Sequence, residues 1–400
     1  MKLVSYVFGP FIAVISLAWS RKDRRELIEQ SSQLGKLHEQ VEVAQAEVAE
    51  RTAQIRDEQK RLRHSDLRIR KLEDDLRRIT EGGRQLWGLR ENKPFDKYAE
   101  WYLRPDGAKI VTFGNLKGGV GKTTLAANFA GYLSRRKLRV LLVDLDFQGS
   151  LSNGLMLAAG IEEVVSRAEM LLEDGANLVT LERAKVHLTP AVDRGWLVPA
   201  SYPFAQAEGR LLMQWLLPLS GADHQIDVRY RLAHALLRPE VRDSYDVIIF
   251  DMPPRMSIGA VNALVASHYL IVPTILDKLS VEAISQFLSQ MKAIRSDLGL
   301  HLQLGGIVTT MTRQSELSER EEDMIRMIEA GARVWDPDGD YLVKQNLPRR
   351  EDIAAAAGDA VAYNLPGAKG QALRSFFDPI FDEVLTRIGV IEKAASGPEI

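Results

Sequence analysis

The run Lys117-Gly118-Gly119-Val120-Gly121-Lys122-Thr123-Thr124 sits between Lys109 to Phe113 (KIVTF), of buried-strand character, and the Ala- and Leu-rich stretch Thr123 to Leu133 (TTLAANFAGYL), of helical character. Strand, glycine loop and helix in that order are what a phosphate-binding loop requires. The ordinary pattern Gly-x-x-x-x-Gly-Lys-Thr would need a glycine where Leu116 stands, so the loop is a variant that opens at Lys117. Gly118, Gly119 and Gly121 let the backbone N–H groups, with those of Val120 and Thr124, turn inward around phosphate oxygens. Lys122 supplies a point charge to the β- and γ-phosphates, and Thr123 can place its hydroxyl on magnesium.

Downstream, strands rich in Val, Ile and Leu alternate with helical stretches, which predicts an α/β fold. The expected architecture is a P-loop NTPase: a mostly parallel sheet covered by helices on both faces. In such a sheet ligands gather at the strand C-termini. Asp251 ends the strand of Asp246 to Pro254 (DVIIFDMPP), where its carboxylate can hold magnesium through a water. Asp144 and Asp146 end the strand of Val140 to Leu151 (VLLVDLDFQGSL).

These stretches resemble the deviant Walker ATPases of the ParA/MinD family, whose hallmark is KGGxGK[ST]. Asn346 to Ile353 (NLPRREDI) looks like the family segment that walls the adenine, with Pro348 against the base; Val198-Pro199-Ala200-Ser201 and Leu304 to Thr310 (LGGIVTT) also sit where the family has strands. The resemblance spans roughly residues 107 to 390. It implies that Asp146 orients or polarises the attacking water, that Asp144 lies nearer the metal, and that Lys117 crosses into a partner's site, making ATP a dimerisation switch. ATP and Mg2+ are the implied ligands. An extra cation at the transferred phosphate is worth orders of magnitude in rate. The chain departs from the family at Phe147 (proline in many relatives), Ser150 (asparagine) and Met252 (threonine or cysteine). The absence of cysteine excludes disulfides, thiolate metal sites and the iron–sulfur branch of the superfamily.

The first hundred residues lie outside the resemblance. Leu3 to Trp19 is an uncharged run of seventeen residues followed by Arg21, Lys22, Arg24 and Arg25. It predicts a membrane anchor, spanning with its N-terminus outside or else lying in the interface, with a cleaved signal peptide as the rival. From Arg25 to Ile79 there is no proline, and Leu27, Leu34, Val41, Val48, Ile55, Leu62, Ile69 and Leu76 recur every seven residues. That seam predicts a coiled coil, parallel if it pairs with itself, over a solvated single helix. Its companion stripe is polar in the middle, at Arg51, Glu58 and Ser65. The expected divisions are an anchor helix at 1–20, a coiled coil at 21–82, an aromatic connector at 83–106, the ATPase domain at 107–392 and a tail at 393–400.

A formal net charge of −2 gives no overall nucleic-acid signature. Nonspecific DNA binding would need a local patch, for which Arg313, Arg320, Arg333, Lys344, Arg349, Arg350, Lys369 and Arg374 are candidates among interspersed acids. The expected function is a membrane-tethered ATPase on the cytoplasmic face of a bacterial inner membrane. It would dimerise on Mg-ATP and hydrolyse it to change its affinity for a protein partner or cargo, as partitioning and positioning ATPases do. The alternative is a membrane-anchored regulatory or kinase-like relative acting on a protein without DNA. Bacterial tyrosine kinases of this architecture end in a tyrosine-rich tail, whereas this chain ends GVIEKAASGPEI. A scaffold with a degenerate site is disfavoured by the full set of Lys117, Lys122, Thr123, Asp146 and Asp251.

Overall fold

The structure is a computed structural model that describes residues 4–81, 86–88, 96–217, 226–312, 317–351, 353 and 361–390; the side chains at 4–20, 22, 23, 27, 31, 71–81, 96 and 97 are outside that description. The chain divides into two units, Met1–Gly82 and Gly83–Ile400.

The first unit is one helix, α1 (Val4–Glu81), of 78 residues, which at 1.5 Å per residue is about 120 Å long. Its length follows from a sequence with no proline after Pro10 and a single glycine, Gly35, in the helix interior. Leu34, Val41, Val48, Ile55, Leu62 and Ile69 are 46–68% exposed, so the heptad stripe has no partner within α1. Among the described residues no helix is long and apolar enough to cross a membrane. The side chains of the run Leu3 to Trp19 lie outside the described residues, as do Leu27 and Leu76 of the seam.

The second unit opens with a 3-10 turn, Leu86–Gly88, and α2 (Asp96–Leu103). There follow β1 (Lys109–Phe113), α3 (Lys122–Arg135), β2 (Val140–Asp144), α4 (Ser150–Ala158), α5 (Leu178–Ala184), β3 (Val186–His187), β4 (Gly195–Val198) and α6 (Tyr202–Leu216). Next come α7 (Arg231–Leu236), α8 (Pro239–Arg242), β5 (Val247–Asp251), α9 (Ile258–Ala266), β6 (Tyr269–Ile275), α10 (Lys278–Asp297), β7 (Gln303–Thr312), α11 (Glu319–Ala332), β8 (Leu347–Pro348) and α12 (Gly367–Arg387).

The eight strands form one sheet in the order β3-β4-β2-β5-β1-β6-β7-β8. Only β3 runs antiparallel to its neighbour. Because successive side chains on a strand face opposite ways, Ile110, Leu141, Val143, Ile248 and Phe250 enter one core under α6, α7, α9, α10 and α11. Val111, Phe113, Val140, Leu142, Val247 and Ile249 enter the other under α3, α4 and α12. The expected two-faced, mostly parallel sheet is therefore present. Its central strand β1 puts the glycine loop at the middle of the C-terminal edge.

The aromatic connector is part of this packing. Trp87 is 2% exposed and stacks on Trp215, and Tyr98 stacks on Tyr230. Arg242, fully buried, donates to the carbonyls of Trp101, Ala108 and Arg104, which ties α2 and the start of β1 to α8. Removing a buried donor leaves its acceptors unsatisfied. Arg242→Ala is accordingly expected to destabilise the Gly83–Ile400 unit by about 3 kcal/mol, to be read as a lower denaturant midpoint at unchanged slope. An unchanged midpoint would show that water replaces these bonds at no cost.

Candidate nucleotide site

Parallel pairing sets the last residues of three strands side by side: Phe113 opposite Asp251, and Asp251 opposite Asp144. The loop after β1 rises from this row. Gly119 and Gly121 have φ of 72° and 89°, a left-handed backbone that β-carbon-bearing residues rarely adopt. With these two turns the chain folds back, and α3 starts at Lys122 with its free N–H groups at the loop.

The loop is strapped from two sides. Asn115 donates to Pro273 O at 2.7 Å and accepts from the Lys117 N–H at 3.0 Å. Thr310, on β7, donates to Val120 O at 2.9 Å. Neither strap was readable from the glycine pattern. Both residues lie where strand ends meet the loop, which only the sheet order reveals.

Lys122 is 7% exposed, and its ammonium donates to Lys117 O at 3.0 Å across the loop mouth. Burial holds it below its ordinary pKa, opposed by Asp251 and Asp146. Thr123 Oγ1 donates to Asp251 Oδ2 at 2.7 Å. Asp251 Oδ1 is buried and without a hydrogen-bond partner. An orphaned carboxylate oxygen beside a threonine hydroxyl suits a hard cation that keeps most of its waters, and magnesium is one. Thr123 and Asp251 thus fit the expected metal.

Asp144 is arranged differently from the expectation that it lies at the metal. It is fully buried, with Oδ1 accepting the Asp146 N–H at 3.0 Å and Oδ2 accepting both the Ser152 N–H at 2.9 Å and its hydroxyl at 2.7 Å. Both oxygens serve the protein, so Asp144 braces the loop that follows β2 and is not disposed as a direct ligand. Asp146, half-buried in that loop, accepts from the Gln148 N–H at 3.0 Å. Pro348 pairs with Thr312 of β7 at the same edge of the sheet. Gly118 and Val120 complete the loop, and Thr124 is the third residue of α3.

Lys117 points to α10. Its ammonium reaches Asp277 Oδ2 at 2.9 Å and Ser280 Oγ at 2.6 Å. Asp277 also caps α10, accepting from the Ser280 N–H at 2.8 Å. Its contacts with Lys117 and Ser280 outweigh partial burial and hold its carboxyl below the usual range.

Burial raises the pKa of both Asp144 and Asp251, and for Asp251 the charge of Asp144 adds to it. A folded value above the unfolded one means that the native state keeps protons that the unfolded chain has lost, so stability falls as pH rises from about 4 to about 8. Asp251→Asn is expected to raise the melting temperature of the nucleotide-free protein at pH 8 by about 4 °C and to change it little at pH 5. Thermal melts at the two pH values check this; a lower melting temperature at pH 8 would contradict it.

The chain matches the AAA domain family over residues 108–304. It is 31% identical over 281 residues to the chromosome-partitioning ATPase Soj of Thermus thermophilus, covering 70% of this chain and 96% of that protein. It is 27% identical over 269 residues to the chromosome partitioning protein ParA of Caulobacter vibrioides, covering 66% and 90%. Among solved structures, cobyrinic acid a,c-diamide synthase from Mycobacterium smegmatis with bound ADP and magnesium superposes with a TM-score of 0.50 at 26% identity, covering 68% of this chain and 93% of that one.

Proposed function

Because the chain belongs to the ParA/MinD family of P-loop ATPases, we propose that it is an ATP-driven dimerising switch, held at a membrane, whose affinity for a partner or cargo changes with the bound nucleotide. Its substrate is ATP and its cofactor Mg2+, with the phosphates in the loop of Gly118 to Thr124. Thr123 and Asp251 are the residues that would hold magnesium, which would supply positive charge against the phosphates. Lys122 draws on the same phosphates, Pro348 borders the base, and Asp146 orients the water.

One observation carries the reading. The loop contains two lysines, yet only Lys122 lies over its own loop, while Lys117 is turned to Asp277 and Ser280. A cation that does not serve its own site is available to a second protomer's. The Lys117–Asp277 pair is partly exposed, 33% and 44% at the two side chains, so it holds by less than about 1 kcal/mol and opens at little cost. Asp277→Asn is therefore expected to raise ATP turnover by about threefold, measured as phosphate release. Lys117→Ala should lower it and abolish the gain in the double variant. Turnover indifferent to Lys117→Ala would refute the role in trans.

The exposed stripe from Leu34 to Ile69 supports a coiled coil with a second copy. Leu3 to Trp19 with its flanking Arg21, Lys22, Arg24 and Arg25 supports tethering; deletion of residues 1–20 should release the protein from the membrane pellet. Of the basic residues, Arg374 is committed to Ala362 O and Leu365 O, and Arg350 stacks on Phe376. DNA affinity would rest on the others, and a salt-dependent, ATP-dependent gel shift is its test.

A further inference from the structure

We propose that Phe147, Arg255 and Glu208 form a brace through which α6 fixes the loop carrying Asp146, and so sets the rate of turnover. The Arg255 guanidinium lies 4.9 Å from the centre of the Phe147 ring. The same guanidinium donates to Glu208 Oε2 at 2.5 Å. Glu208, on α6, is 5% exposed, and its Oε1 accepts from the Ser257 hydroxyl and from the Gly259 N–H at 3.0 Å. A β-carbon at Gly259 would come within 2.9 Å of that oxygen, so the start of α9 is shaped around the carboxylate.

A carboxylate taken out of water is costly unless it is paired and hydrogen-bonded. Among the described residues Glu208 meets that condition through Arg255, Ser257 and Gly259 of the segment that follows Asp251. Arg255 is 48% exposed at its side chain, so its aim comes from Phe147 on one side and Glu208 on the other. Phe147 is the next residue after Asp146, whose carbonyl accepts from the Gly149 N–H at 2.8 Å. A second line runs from the same loop to the same helix: Asp144 holds Ser152, and Ser152 Oγ accepts from the Ala200 N–H at 2.9 Å, just before the first turn of α6. Helix α6 is thus joined to the segments that follow β2 and β5 at the C-terminal edge of the sheet. Phe147, where many relatives have proline, supplies the ring that Arg255 meets.

The proposal rests on the reading of Asp146 as the group that orients water; Phe147, Arg255 and Glu208 are positioning residues. In the full-length protein, Phe147→Ala and Arg255→Ala are expected to lower kcat by about tenfold, the size of one cation–π contact, with KM and the affinity for a fluorescent ATP analogue held within about twofold. Phe147→Tyr and Arg255→Lys should keep most of kcat. The Phe147→Ala/Arg255→Ala double variant should be no slower than the slower single one, since both break one brace. Amide hydrogen exchange over residues 145–149 should quicken in Arg255→Ala, a half-exposed position that spares the core. Unchanged exchange there, or kcat losses that multiply in the double variant, would overturn the brace. Failure of the underlying reading looks different: Asp146→Ala would keep wild-type turnover while exchange in Arg255→Ala still rises.

Discussion

Lys122→Ala is expected to reduce ATP turnover at least about a thousandfold, because it removes a cation that lies over its own glycine loop. Lys122 is 7% exposed and its ammonium already points across the loop mouth, so little reorganisation is needed when phosphate arrives. Burial lowers its pKa, but Asp251 and Asp146 work against that and favour the charged form. Lys122→Arg should not rescue, since a planar guanidinium does not fit a space shaped for a compact ammonium. Phosphate release under saturating Mg-ATP is the measurement. Turnover within tenfold of wild type would mean that the phosphates sit elsewhere.

Asp146→Ala is the second large effect. Turnover is expected to fall about a hundredfold to a thousandfold, the usual range for losing a group that positions or deprotonates a nucleophile, with ATP affinity preserved. The side chain is not among those that build the loop's cradle. Its own N–H is held by Asp144, whose carboxylate remains in the variant, so the loop keeps its brace. The variant should therefore stay in the ATP-bound dimer. Loss of binding along with turnover would instead make Asp146 part of the cradle.

How far the sequence reveals this molecule depends on the range over which each feature is determined. The P-loop and its flanking strand and helix are contiguous, and their spacing alone gave the order β1, loop, α3. Asp251 and Asp144 follow from the same logic, since a carboxylate that ends a buried strand must lie at the sheet's C-terminal edge. What Asp144 does there was not legible, because Ser152 comes from the next helix and captures it at eight residues' distance. The destination of Lys117 was further out of reach. Asp277 lies past β6 as the cap of α10, 160 residues away, and nothing in KGGVGKTT points to it. Glu208 shows the same limit. A lone glutamate in an amphipathic helix reads as surface, and only the packing of α6 beside the segment after β5 buries it. The stretch from Gly160 to Asp243 shows a related limit. Its elements are short, and several are held by the buried arginines 229, 231 and 242, whose charge on a sequence plot argues for exposure.

In the proposed switch, ATP closes two copies of the nucleotide unit face to face, with Lys117 of each serving the other. Sedimentation of the Gly83–Ile400 unit, which lacks α1 and so any pairing through the heptad stripe, tests it most directly. With Mg-ATP the unit should sediment as a dimer and without nucleotide as a monomer; Asp146→Ala should hold the dimer, and Lys117→Ala should weaken it. A sedimentation coefficient that ignores nucleotide in both the wild type and Asp146→Ala would contradict the switch and leave α1 as the sole determinant of assembly.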